Sequence, residues 1–128
     1  MDENKLIDIK MQLRWSYKLM GEVMDLSHQL ADALDRSDQV AVRMLLGMRN
    51  EPIEKLVAAK NAVQELLEDM EPRQAQHTRD ILNGAPARYE QEKELAAQTA
   101  ANDRLLKQLQ EIDKRLNLKL THEESIYS

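Results

Sequence analysis

A chain of 128 residues, 42% hydrophobic and 32% charged, is sized for one domain and too apolar for a disordered segment. Its net charge of −5 argues against a phosphate-neutralising nucleic-acid surface and against anionic membranes. With no Cys, disulfides, thiolate zinc sites and Cys nucleophiles are excluded.

The opening, "MDENKLIDIK", lacks a basic stretch followed by an apolar core, so no secretion signal is expected and the address is read as cytoplasmic. No apolar run is long enough to span a bilayer. Only 3 Gly and 3 Pro interrupt the chain, which implies long elements. With 1 Trp, 3 Tyr and no Phe, Leu, Ile, Val, Met and Ala must do the packing. From residue 3 to 35, Leu6, Ile9, Leu13, Ser16, Met20, Val23, Ser27, Leu30 and Leu34 alternate three and four apart, a heptad seam. Leu19, Leu26 and Ala33 widen it into a bundle stripe. Trp15 is expected as a partly buried anchor at the seam edge.

"LDRSDQ" (34–39) breaks the pattern, and either Ser37 or Asp38 can cap the next helix. So short a turn sends the second helix back antiparallel to the first. That helix carries Val42, Leu45, Leu46, Ile53, Leu56, Val63, Leu67 and Met70. Pro52 lacks an amide hydrogen and disfavours helical angles at Glu51, so a kink or short break is expected at 49–52; a boundary between two helices is the alternative. "EDMEPRQ" (68–74) is a second stop. A short helix follows over 73–83, ended by Asn83-Gly84, and Pro86 is expected to open the last helix. There the spacing 95, 98, 102, 105, 109, 112, 116 repeats the three-four alternation, with Gln98 and Asn102 as its polar members. Asn102 either selects register from inside the seam or lies at its edge in water, and the second is expected. The fold class is therefore all-α: an elongated up-and-down antiparallel bundle, or coiled coil, of three long helices plus one short one. Residues 1–120 form the single domain and 121–128 a flexible C-terminal tail.

Chemistry is hard to place on this frame. Asp25 and His28 are the only His–carboxylate pair at helical spacing, whereas a bundle di-metal site needs two such motifs and further inward carboxylates. His77 and His122 fall near helix ends without partners and are expected at the surface. Ser16 and Ser27 have no nucleophile elbow beside them. Gly21, Gly47 and Gly84 are isolated, so no phosphate loop exists. The chain is read as a non-enzyme that requires no cofactor.

Two features exceed what a plain bundle needs. Seven Met include Met44 and Met48, four apart beside Leu45, and Met suits faces that accept more than one apolar shape. The last helix carries Leu105, Leu106, Leu109, Ile112, Leu116, Leu118 and Leu120, too wide a sector for one seam. It either faces two neighbours or binds an amphipathic helix.

Two stretches, "LADALDRSDQVAVRMLLGMRNEPIEKL" and "AANDRLLKQLQEIDKRL", resemble the FlgN-type family of flagellar type III export chaperones, with the FliT type a near alternative. Asp38, Leu45, Leu46, Arg49, Ile53 and Leu56 match the first outline. Asn102, Leu105, Leu106, Leu109 and Leu116 match the second. Pro52 and the extra helix over 73–83 depart from the family's pattern. The resemblance implies a cytoplasmic chaperone that holds the C-terminal amphipathic helix of hook-associated (hook-filament junction) proteins until export. Asn102, Leu105, Leu106, Leu109, Ile112, Leu116, Met44 and Met48 are the expected contact residues. A self-pairing adaptor, dimerising through the late helix, is the alternative.

Overall fold

A computed structural model describes the backbone of residues 3–127 and the side chains of residues 3–121. Its elements are α1 (Glu3–Asp35), α2 (Gln39–Glu68), α3 (Pro72–Leu82) and α4 (Lys93–Tyr127), with a 3-10 turn at Glu90–Glu92 before α4. No strand occurs among the described residues. The all-α expectation therefore holds, as three long helices and one short one.

The α1 seam packs as its spacing dictates. Leu6, Ile9, Met20, Val23, Ser27, Leu30 and Leu34 are buried, and so are Leu19 and Ala33 of the widening line. Trp15 departs from the expected anchor: it stays outside both core clusters, with the Lys18 ammonium 5.6 Å from its ring centre. The turn out of α1 is a Schellman closure. Asp38 N–H donates to Ala33 O at 2.9 Å and Ser37 N–H to Leu34 O at 3.1 Å. This requires a left-handed residue, and Ser37 supplies it with φ 56°. Of the two expected caps, Asp38 is the one used: its carboxylate accepts from Ala41 N–H at 3.1 Å. The same closure ends α3, with Gly84 (φ 106°) in the left-handed position.

Pro52 lies inside one continuous helix, so neither the short break nor the boundary between two helices occurs. It is buried within the single helix Gln39–Glu68. The physical reason is tertiary: Leu45 before it and Leu56 and Ala59 after it are buried or half-buried, so packing on both sides carries the axis through a weak local bond. The Met48 carbonyl loses its partner, and Met48 lies on an exposed flank where water can serve it. A second difference is that Pro86 does not open α4, which begins only at Lys93. The backbone of α4 is helical through Tyr127. Side chains beyond Thr121, and Ser128, lie outside the described residues, so the expected flexible tail and the His122 reading fall there.

Three cross-links set the directions. Lys5 reaches Asp69 O, so α2 runs antiparallel to α1. Lys10 meets Glu94 at 2.6 Å near the start of α1, and Lys119 meets Asp35 at 2.7 Å at its end. Both pairs are offset by 84 residues, so α4 runs parallel to α1 in constant register. The hydrogen bond and charge of Lys10 hold the Glu94 carboxyl below its ordinary range, with a lesser effect of Arg14. That contribution is present at neutral pH and fades as pH falls through the lowered range; the pair is exposed, so it is small.

The core has two parts. One, toward the α1–α2 turn, joins Met20, Val23, Leu30, Ala33, Leu34 and Leu45 to Leu109, Ile112 and Leu116. The other, toward α3, joins Leu6, Ile9, Leu67, Met70, Ala75, Ile81 and Leu95. A polar layer lies between them. There Asn102 Nδ2 donates to Leu13 O at 2.9 Å and its Oδ1 accepts from Gln98 Nε2 at 2.9 Å. Asn102 is buried, not at a wet seam edge as expected, and the Leu13 carbonyl and the Gln98 amide supply partners for its own amide.

Ser37→Gly is expected to stabilise the fold by about 0.5–1 kcal/mol, relief of the left-handed strain outweighing the added chain entropy. An upward shift of the urea midpoint at unchanged slope checks it; no shift would contradict the strain.

Candidate protein-binding groove

Both α2 and α4 pack along α1, but between themselves their backbones hardly approach. The bundle is therefore open along one side. At about 1.5 Å per residue, the groove between α2 and α4 can hold a helix of several turns.

Helical phase identifies its walls. Lys60, Val63, Gln64 and Leu67 of α2 line a cleft of about 370 Å³ together with Leu13 and Ser16 of α1, Arg79, Leu82 and Asn83 of α3, and Thr99, Asn102 and Asp103 of α4. Two helical turns back, Ile53 and Val57 lie nearly in line with Lys60 and Gln64. Both are exposed, Val57 at 56%. On α4, Leu106 lies in line between Thr99 of the cleft and Asp113, which accepts from Arg49 Nη2 across the groove at 2.7 Å. Leu106 is 42% exposed. The groove thus presents Ile53, Val57 and Leu106, over a base of half-buried Leu46 and Leu56. Arg49 is largely covered and its Nε has no partner.

The expected contact residues do not fall together. Leu109, Ile112 and Leu116 are buried in the core, Leu116 at 1% exposure, and Leu105 packs half-buried against it. The late-helix ridge is therefore not the uncovered surface expected from its width; of the two alternatives, it faces two neighbours. Asn102 is likewise inside, though it touches the cleft. Leu106 alone of that group faces the groove. Met44 and Met48 are exposed, at 58% and 50%, but on the other flank of α2. Five full turns on, they share their directions with Ala62 and Leu66, which line a separate cleft with Asp8 and Met11 of α1.

Three charges in the cleft escaped the sequence reading. Lys60, Arg79 and Asp103 line it, and none of these side chains has a hydrogen-bond or ion-pair partner among the described residues. The signal for Ile53 was present: the buried line through Leu45, Pro52, Ala59 and Leu67 leaves Ile53 and Val57 to one side.

His77 also differs from its expected place at a partnerless surface. It is half-buried and 2.6 Å from Glu92 Oε2, with Tyr89 edge-on at 6.1 Å. Glu92 is fully buried, and its Oε1 accepts from Arg88 N–H at 3.0 Å and Tyr89 N–H at 3.3 Å. This carboxylate ties α3 to the start of α4 and so holds α3 across the end of the groove. Asp25 and His28 are both exposed, and no cluster of three metal-ligating side chains occurs among the described residues. No described helix is long and apolar enough to cross a membrane. Comparison with family models, curated proteins and solved structures finds no match.

Glu92→Ala is expected to cost roughly 1–3 kcal/mol, since two part-buried backbone N–H groups and His77 lose their acceptor, while Glu92→Gln, which keeps an acceptor oxygen, loses less than half of that. Chemical denaturation of the two variants checks the order; equal small losses would mean that the carboxylate is not holding the junction.

Proposed function

We propose that this chain is a cytoplasmic chaperone that masks an amphipathic helix of a client protein in the groove between α2 and α4. The carrying observation is the pair of exposed apolar flanks, Ile53 and Val57 on one side and Leu106 on the other, on helices that both pack on α1 and whose backbones hardly approach one another. A fourth helix laid there would meet apolar side chains on both sides and a leucine base beneath. Burial of such a face is worth about 25 cal/mol per Å², before the costs of association. Holding an aggregation-prone helix needs no more chemistry than that.

The resemblance of "LADALDRSDQVAVRMLLGMRNEPIEKL" to FlgN-type export chaperones narrows the client class to hook-associated proteins, bound through a C-terminal amphipathic helix and kept unassembled for type III export. Three residues of the resemblance, Arg49, Ile53 and Leu56, are on the groove side of α2. Self-association is a second reading, favoured by the separate flank where Met11, Met44 and Met48 are exposed.

Ile53→Asp and Leu106→Asp are each expected to weaken co-purification with a co-expressed hook-associated protein at least about tenfold, since a charge enters an apolar contact. Met44→Asp should leave it unchanged, and circular dichroism should be the same for all three. Undiminished capture by both groove variants would remove the groove. Sedimentation separates the second reading: a monomer at all concentrations is expected, and a dimer broken by Met44→Asp would favour self-association.

A further inference from the structure

We propose, resting on the groove reading above, that the bound helix lies with its C-terminal end against α3, where Lys60 and Arg79 hold its negative pole and a carboxylate of its last turn. The groove differs from end to end. Toward the α1–α2 turn the groove's cation is already neutralised: Arg49 is bonded to Asp113. Toward α3, the ammonium of Lys60 and the guanidinium of Arg79 line the cleft without a partner, against the single carboxylate of Asp103.

The hydrogen-bonding inventory points the same way. A helix C-terminus leaves its last four carbonyls unsatisfied and carries roughly half a negative charge. Lys and Arg side chains are donors only, and the Asn83 and Gln64 amides and Ser16 hydroxyl can also donate. These side chains line the same cleft, and none has a partner among the described residues. A helix N-terminus placed here would set free N–H groups and a positive pole against two unpaired cations. α3 stops the groove at this end, with Leu82 and Asn83 forming part of the wall. The occupant therefore runs parallel to α2 and antiparallel to α1 and α4. A basic residue in its last turn, on the α4 side, would find Asp103.

The test uses the full chain and two fluorescein-labelled synthetic peptides of about 20 residues with the same leucine/alanine face. One carries Glu in its last turn and a free C-terminal carboxylate. The other carries Glu in its first turn and a C-terminal amide. Fluorescence anisotropy should show the first binding about tenfold more tightly. In the Lys60→Glu/Arg79→Glu variant this preference should vanish, while the second peptide binds no more weakly than before. Equal binding of the two peptides by the unsubstituted chain, or a preference that survives the charge reversal, overturns the polarity and leaves the groove standing. Binding of neither peptide, or binding indifferent to Ile53→Asp, overturns both.

Discussion

The sharing of α1 between two partners is the constraint from which the remaining architecture follows. Ile9, Leu19, Val23 and Leu30 are essentially without solvent contact, which requires cover from more than one direction, since a single neighbour covers one stripe of a helix. α2 gives that cover antiparallel and α4 gives it parallel, each a long helix in its own right. Burial of each such side chain is worth about 1.5–3 kcal/mol, so the two interfaces with α1 carry most of the fold. Once α1 is satisfied, the backbones of α2 and α4 stay apart, and the two helices share only core side chains such as Leu45 and Leu109. The open side of the bundle is a consequence of where the apolar residues of α1 sit, not of a deficit in α2 or α4.

The polar layer in the middle of α1 does a different job. Leucine seams of this kind tolerate a slide of one heptad with little loss of apolar contact. The bond from Asn102 to the Leu13 carbonyl does not. Together with Lys10–Glu94 and Lys119–Asp35, which share one offset, it leaves a single register for α4. The buried pair is the stronger of these devices, because an unsatisfied amide inside costs more than an exposed ion pair returns. The same layer interrupts the core, and the cleft opens beside it at Ser16, Thr99 and Asn102. Register and recess thus have one origin.

Local periodicity made much of this legible. The α1 seam, the two turns, the short third helix and the three-four line of α4 follow from residue spacing and from Ser, Asp, Asn and Gly at the stops. Where spacing misled, the missing information was what lay opposite. The width of the α4 sector is compatible with two neighbours in the fold or with one neighbour and a client, and only the placement of α1 and α2 decides for the first. Pro52 reads as a breaker because propensity is local, whereas Leu45, Leu56 and Ala59 hold α2 together from outside. Asn102 looks like an edge residue until Leu13 O is brought to it from a distant part of the chain. Glu92 had no sequence signal, since nothing near it announces His77. In the groove, the phase of Ile53, off the line of Leu45, Pro52 and Ala59, places it on the flank.

On the proposed chaperone reading, a binding surface on so small a bundle must not compete with folding for the same side chains. If Leu109, Ile112 and Leu116 were the client's contacts, the unoccupied protein would have to expose the residues that close its own core. The arrangement separates the two tasks by helical phase. On α4, Leu105 and Leu109 face inward while Leu106 remains half out; on α2, Leu45 and Ala59 face inward while Ile53 and Val57 remain out. The outward residues form narrow rows rather than a broad patch, and they are bordered by Lys60, Asp103 and the Arg49–Asp113 pair. Charges at those borders limit indiscriminate hydrophobic association, which a wider uncovered patch would invite. The same charges are unequally distributed along the groove, and on the proposed reading that inequality would give a bound helix its direction.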